Sequence, residues 1–246
     1  MTANDAVGVD GCRAGWFFVA IDAGGQADFG LASSVARLWQ THYEARAILI
    51  DIPIGMIDRF EGQRVCDAAA RRILKPLRHS SIFSPPCRQA LAAQDYELAC
   101  RINHRVCGRK LSIQTWGIVP KIREVDEFLQ RTPEARGVLR ETHPEICFWA
   151  MAGRVPMLHG KKRPAGRNER LNALCRVYSH APDIYKAALD RYPRKQVARD
   201  DILDALANAL TATRLETAGA TLPELPPVDR RGLPMEMVYA RFAVRG

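Results

Sequence analysis

Two apolar runs that end in an acid constrain this chain more than any other feature: Val7-Gly8-Val9-Asp10 and Ala47-Ile48-Leu49-Ile50-Asp51-Ile52-Pro53. The second is apolar almost without a break and is stopped by Pro53, the pattern of a central parallel strand covered on both faces. In open sheets flanked by helices, ligand sites lie outside the carboxyl ends of such strands. If the two runs are parallel neighbours, Asp10 and Asp51 converge on one mouth. Buried like charges repel strongly unless a cation lies between them, so the pattern predicts a cation site.

The neighbouring segments supply the rest of a sheet. The turn Gly11-Cys12-Arg13-Ala14-Gly15 sends Trp16 to Ile21 back as an antiparallel partner. Asp22-Ala23-Gly24-Gly25 is a second turn, and Ala27 to Ala32 a third strand. Ser33 or Ser34 caps a helix to about Tyr43, and Ala47 to Ile52 is strand four. Val138 to Glu141 reads as strand five. Thr142, Pro144 and Glu145 then form a capping box that opens a helix. Three meandering strands, a helix and a strand are the opening of an RNase H-like α/β fold. The expectation is a mixed five-stranded sheet in order 3-2-1-4-5 within a single domain, residues 1–246. Residues 54–136 are expected as a helical insertion roofing the sheet, with helices over Arg64–Leu74, Tyr96–Cys107 and Ile113–Leu129, the last broken at Pro120. The tail from Met235 to Phe242 is expected as an edge strand.

The last long helix, from about Asp200 to Thr217, sets Asp201, Asp204 and Asn208 on one face at 100° per residue. Ile202, Leu206, Ala209 and Leu210 fall on roughly the opposite face, which is expected to pack on the sheet. Acids in a first turn are also favoured by the helix dipole, an ordinary structural reason for Asp200 and Asp201. Asp204 sits deeper and is harder to explain that way. Glu145 reads chiefly as the capping-box acid. Cys100, His104 and Cys107 share a helical face without an evident fourth ligand, which favours a half-buried thiol face over zinc.

These motifs resemble a known family. Val7-Gly8-Val9-Asp10-Gly11-Cys12-Arg13-Ala14-Gly15-Trp16, Ile50-Asp51-Ile52-Pro53-Ile54-Gly55, Glu141-Thr142-His143-Pro144-Glu145 and Asp200-Asp201-Ile202-Leu203-Asp204-Ala205 are similar to the DUF429 family. So are Ser80-Ser81-Ile82-Phe83, Gln114-x-Trp116-Gly117-Ile118 and Lys121 to Asp126. The family is regarded as predicted nucleases of RNase H-like fold. The resemblance implies a metal site built from Asp10, Asp51 and Asp201 or Asp204, with Glu141 as a further catalytic candidate. Oxygen-only ligands suit hard cations, Mg²⁺ or Mn²⁺. RNase H enzymes proper usually carry a glutamate on the first helix; here Ser34–Tyr43 carries none.

Charge bears on the partner. With 36 basic and 27 acidic residues the chain carries +9, which favours nucleic acid or a nucleotide. Arg13, Lys121 and the basic loop Lys161-Lys162-Arg163 are candidates to meet phosphate. Seven cysteines, none in a C-x-x-C pair, together with no signal peptide predict free thiols and a cytoplasmic location. The longest apolar stretch near the N-terminus, Gly15 to Ile21, is too short to span a bilayer. No Walker A loop, H-E-x-x-H or G-x-S-x-G occurs. The expected activity is metal-dependent phosphodiester hydrolysis. An actin-like ATPase or small-molecule kinase on the same core is the alternative enzyme class, and a catalytically silent nucleic-acid-binding protein is the alternative without chemistry.

Overall fold

The computed structural model describes residues 5–59 and 62–243. Its main sheet contains β1 (Ala6–Cys12), β2 (Gly15–Ile21), β3 (Ala27–Ala32), β4 (Ala47–Ile50) and β5 (Leu139–Glu141), in order β3-β2-β1-β4-β5. β2 runs antiparallel to β1 and β3, while β4 lies parallel to β1 and β5. Order and directions are those expected from the succession of strands and helices. Gly15 closes the first hairpin at φ +131°, and a Cβ there would lie 2.4 Å from the Ala32 carbonyl oxygen, so the turn requires glycine.

The alternation of β1 and β4 divides the core. Val7, Val9, Ile48 and Ile50 face α1 (Val35–His42) and α5 (Ile113–Arg131), meeting Leu38, Ile122 and Val125. Ser34 caps α1 by accepting the Arg37 N–H at 3.2 Å. The opposite face receives α9 (Arg199–Ala212), itself covered by α6 (Pro144–Met151), α7 (Pro164–Val177) and α8 (Ala181–Arg191). Between β4 and β5 the elements are helical, as expected: α2 (Val65–Ile73), a 3₁₀ turn at His79–Ser81, α3 (Arg88–Leu91), α4 (Tyr96–Cys107), α5 and a 3₁₀ turn at Pro133–Ala135.

Four expectations need correction. α5 continues through Pro120, because its buried stripe of Val119, Ile122, Val125, Phe128 and Leu129 outweighs one lost backbone bond. α9 is not two-faced: every residue from Ile202 to Ala212 is buried, since α6, α7 and α8 cover the side turned away from the sheet. The tail strand β7 (Met237–Ala240) pairs with β6 (Gly219–Leu222) in its own ladder; among the described residues its one backbone bridge beyond that ladder is Thr142–Val238, while the Val238 side chain packs on Ala6, Ala47 and Leu49. The capping box is replaced. His143 is the N-cap of α6 and its Nδ1 accepts the Glu145 N–H, while the Thr142 hydroxyl donates to the Val238 carbonyl. The Glu145 carboxylate is drawn instead to Arg170 at 2.5 Å. Two short helical and strand pieces, α10 (Leu215–Ala218) and β6, follow α9. No helix among the described residues is long and apolar enough to cross a membrane.

Candidate carboxylate site

Register brings the first two acids together. Val9 lies opposite Ile50, and the Asp51 N–H continues the ladder by donating to the Val9 carbonyl at 3.1 Å. Asp10 and Asp51 therefore leave neighbouring parallel strands at the same end. The third acid arrives on α9, which approaches β1 at Gly8 so closely that a Cβ there would stand 2.0 Å from the Ala209 nitrogen. Asn208 locks that approach by donating from Nδ2 to the Val9 carbonyl at 3.0 Å. One turn earlier, fully buried Asp204 is set beside Asp10. Asp10, Asp51 and Asp204 line a cavity of about 530 Å³, shared with Lys161, His143 and the Ser80-Ser81 turn.

The electrostatics are dominated by like charge out of water. Burial, then Asp51, Asp204 and Asp201, hold the Asp10 carboxyl well above the usual range. Burial also raises Asp51, while His143 and Lys161 pull it back. The Lys161 ammonium donates to Asp204 Oδ2 at 2.5 Å and lies 3.9 Å from Asp200. Burial works against its charge, but Asp204, Asp10 and Asp51 reverse the balance and keep it protonated well beyond the ordinary lysine range. One ammonium thus faces three carboxylates. Asp204 Oδ1 is buried without a hydrogen-bond partner, and no hydrogen bond from the described residues reaches the Asp10 carboxylate. The free lone pairs and the all-oxygen set fit a hard divalent cation. The spacing is wider than a closed shell. Among the described residues, only Cys66, Asp67 and Glu141 bring three such ligand atoms within 4.8 Å of one another.

A family model described as "Protein of unknown function (DUF429)" matches residues 8–229. The chain belongs to the DUF429 family. No curated protein and no solved structure matches it.

The DUF429 match contains every acid and base singled out from the sequence, but they do not share one place. Asp201 points to a neighbouring groove and its Oδ2 accepts the Ala198 N–H at 2.8 Å, the role open to a first-turn acid. Burial, then Asp200 and Asp204, push its carboxyl up to about 6, against the opposing pull of that backbone bond. Glu141, expected as a catalytic candidate, is instead committed behind the mouth. Its oxygens accept from Arg64 at 2.5 and 2.8 Å and from the Ile54 N–H at 2.6 Å. Arg64 also binds Asp67 at 2.8 Å, so the Cys66, Asp67 and Glu141 group already encloses a guanidinium. Cys107 packs with Ile57, Cys87 and Ala90 in a small buried cluster.

The basic candidates also separate. Lys161 is a half-buried counter-ion to Asp204, while exposed Lys162 and Arg163 line the mouth. Their loop is an ordered one: Glu169 accepts the Leu158 and His159 N–H groups at 2.7 and 2.9 Å, and Arg170 donates to the His159 carbonyl at 2.9 Å. Lys121 donates to the Gly15 carbonyl at 2.6 Å and stands 4.2 Å over the Trp16 ring, on the border of mouth and groove. Arg13 lines only the groove. His143 was not singled out from the sequence, although the acid-tipped β5 and the Pro144 helix start place it at the sheet's carboxyl edge. With Nδ1 accepting the Glu145 N–H at 3.2 Å, Nε2 is the ring nitrogen left to donate.

Proposed function

We propose that the mouth binds Mg²⁺ or Mn²⁺ on Asp10, Asp51 and Asp204 and hydrolyses phosphodiester bonds of nucleic acid. The observation that carries this reading is the meeting of three carboxylates from β1, the end of β4 and α9 around a single ammonium, with Asp204 Oδ1 left buried and unpartnered. A bound divalent ion supplies a water of lowered pKa and offsets charge on the leaving oxygen. The chain's own groups have separate tasks. Asp204 holds Lys161 at the site, and release of that contact leaves the ammonium beside the mouth, where it meets a phosphate oxygen. His143 offers an Nε2–H hydrogen bond to the charge that builds on the leaving oxygen, which takes its proton from solvent as water displaces it at phosphorus. Lys162 and Arg163 are open to flanking phosphates.

Lys161 also favours a second reading, a nucleic-acid binder whose acids are permanently neutralised by the ammonium. Labelled single-stranded, duplex, hybrid and junction substrates, incubated with Mg²⁺, Mn²⁺ or EDTA, separate the two. Metal-dependent cleavage lost in Asp51→Asn supports the nuclease. Binding without cleavage, together with no change in melting temperature on adding either ion, supports the silent binder.

A further inference from the structure

Beside the mouth, and sharing Gly11, Lys121 and Lys162 with it, lies a larger groove of about 950 Å³. Four separate segments bring cations to it: Arg13 from the first hairpin, Lys162 and Arg167 from the start of α7, Arg194 and Lys195 before α9, and Arg199 at its first turn. Together with Lys121 that makes seven basic residues against two acids, Asp200 and Asp201. Surface cations ordinarily find carboxylates nearby, yet none of the described carboxylates lies within ion-pair distance of these six. All but Arg167 are exposed. The N-cap of α9 is Ala198, whose side chain caps no first-turn N–H.

We propose that this groove carries the phosphates of a nucleic-acid strand that flank the reacting one, delivering the strand to the carboxylate mouth. The proposal rests on the nuclease reading above and adds the path of the substrate. Seven cations repel one another across an empty groove, and a polyanion relieves that repulsion while releasing its own counterions. The shared wall explains how one strand meets both places: a phosphate passing Lys121 and Lys162 lies at the border of groove and mouth. Arg167 is steadied for this by its bond to the Lys162 carbonyl at 2.8 Å. The two acids sit at the inner end, beside the mouth, where Asp201 is held by its own backbone bond.

The test uses the full chain and labelled single-stranded and duplex oligonucleotides, with affinity read by anisotropy in EDTA at several salt concentrations so that no turnover intervenes. Arg194→Ala, Lys195→Ala and Arg199→Ala together remove three exposed side chains that form no ion pair with the described residues, and an unchanged melting temperature verifies folding. Weaker binding is expected, with the log–log salt slope reduced by about 0.7 to 0.9 for each lost phosphate contact. The response of melting temperature to Mn²⁺ should stay that of the wild type. The preference for single-stranded or duplex probe identifies the form of strand carried. Unchanged affinity and slope, or no binding of either probe by the wild type, would overturn the groove while leaving the metal response to judge the mouth separately. Conversely, groove-dependent binding by a chain with no metal response sinks the nuclease and retains the strand path.

Discussion

Replacing Gly8 by alanine tests the contact on which the site's geometry depends. The added Cβ would stand 2.0 Å from the Ala209 nitrogen, 2.2 Å from the Ala205 oxygen and 2.6 Å from the Asn208 carbonyl carbon. Ordinary contact begins at 3.4 Å, so α9 and β1 must part by more than an ångström. The helix cannot yield as a flexible side chain would, because all three obstacles are backbone. Overpacking typically costs about 1–3 kcal/mol, and a backbone-on-backbone clash belongs at or above the top of that range. For a chain of this size, about 3 kcal/mol lowers the melting temperature by roughly 6–12 °C. Asp204 travels with α9, so whatever response the mouth has to Mn²⁺ should shrink as well. Gly117→Ala is the control: a Cβ there meets nothing within 4 Å, and removing an exposed helical glycine should stabilise by about 0.5–1 kcal/mol. Thermal and urea denaturation of both variants measure the contrast. A Gly8→Ala chain within about 0.5 kcal/mol of wild type would refute the account of α9 seated on a bare strand.

Other perturbations address the charges. Arg64→Met strands Glu141 and Asp67 as buried carboxylates without their guanidinium and should cost about 3–5 kcal/mol by urea denaturation; a loss under about 1 kcal/mol would mean the pair is not what holds that region. Lys161→Met removes the ammonium that competes for Asp204, so calorimetry should find Mn²⁺ bound at least about tenfold more tightly, or about 1.4 kcal/mol. Unchanged affinity would remove Lys161 from the site. The fold raises the Asp201 carboxyl from 3.8 to about 6, so the folded chain holds that proton more tightly than the unfolded one. The resulting stabilisation is complete below the unfolded value and is lost as pH rises through the folded one. Metal-free Asp201→Asn, which keeps an acceptor for the Ala198 N–H, should therefore gain on wild type between about pH 4 and pH 7. Parallel stability curves across that range would contradict it.

Local pattern determined a good deal of this protein. An apolar run is a short-range signal, so β1 to β4, the Ser34 cap, and Asp10 and Asp51 at the tips of adjacent strands were legible from residues close in the chain. The spacing of α9 likewise made Asp204 harder to explain than its neighbours. What the sequence left open were choices among partners far apart. Glu141 resembles Asp10 and Asp51 as an acid ending a strand, yet Arg64, 77 residues earlier, takes it out of the mouth. Lys161 resembles Lys162 and Arg163 as part of a basic loop, yet Asp204, 43 residues later, draws it inward as a counter-ion. The seven cations of the groove come from five segments whose charges look unrelated when written in a line. Only tertiary packing decides such cases, because a buried charge is assigned by whichever opposite charge the fold brings within a few ångströms, and no local periodicity encodes that distance.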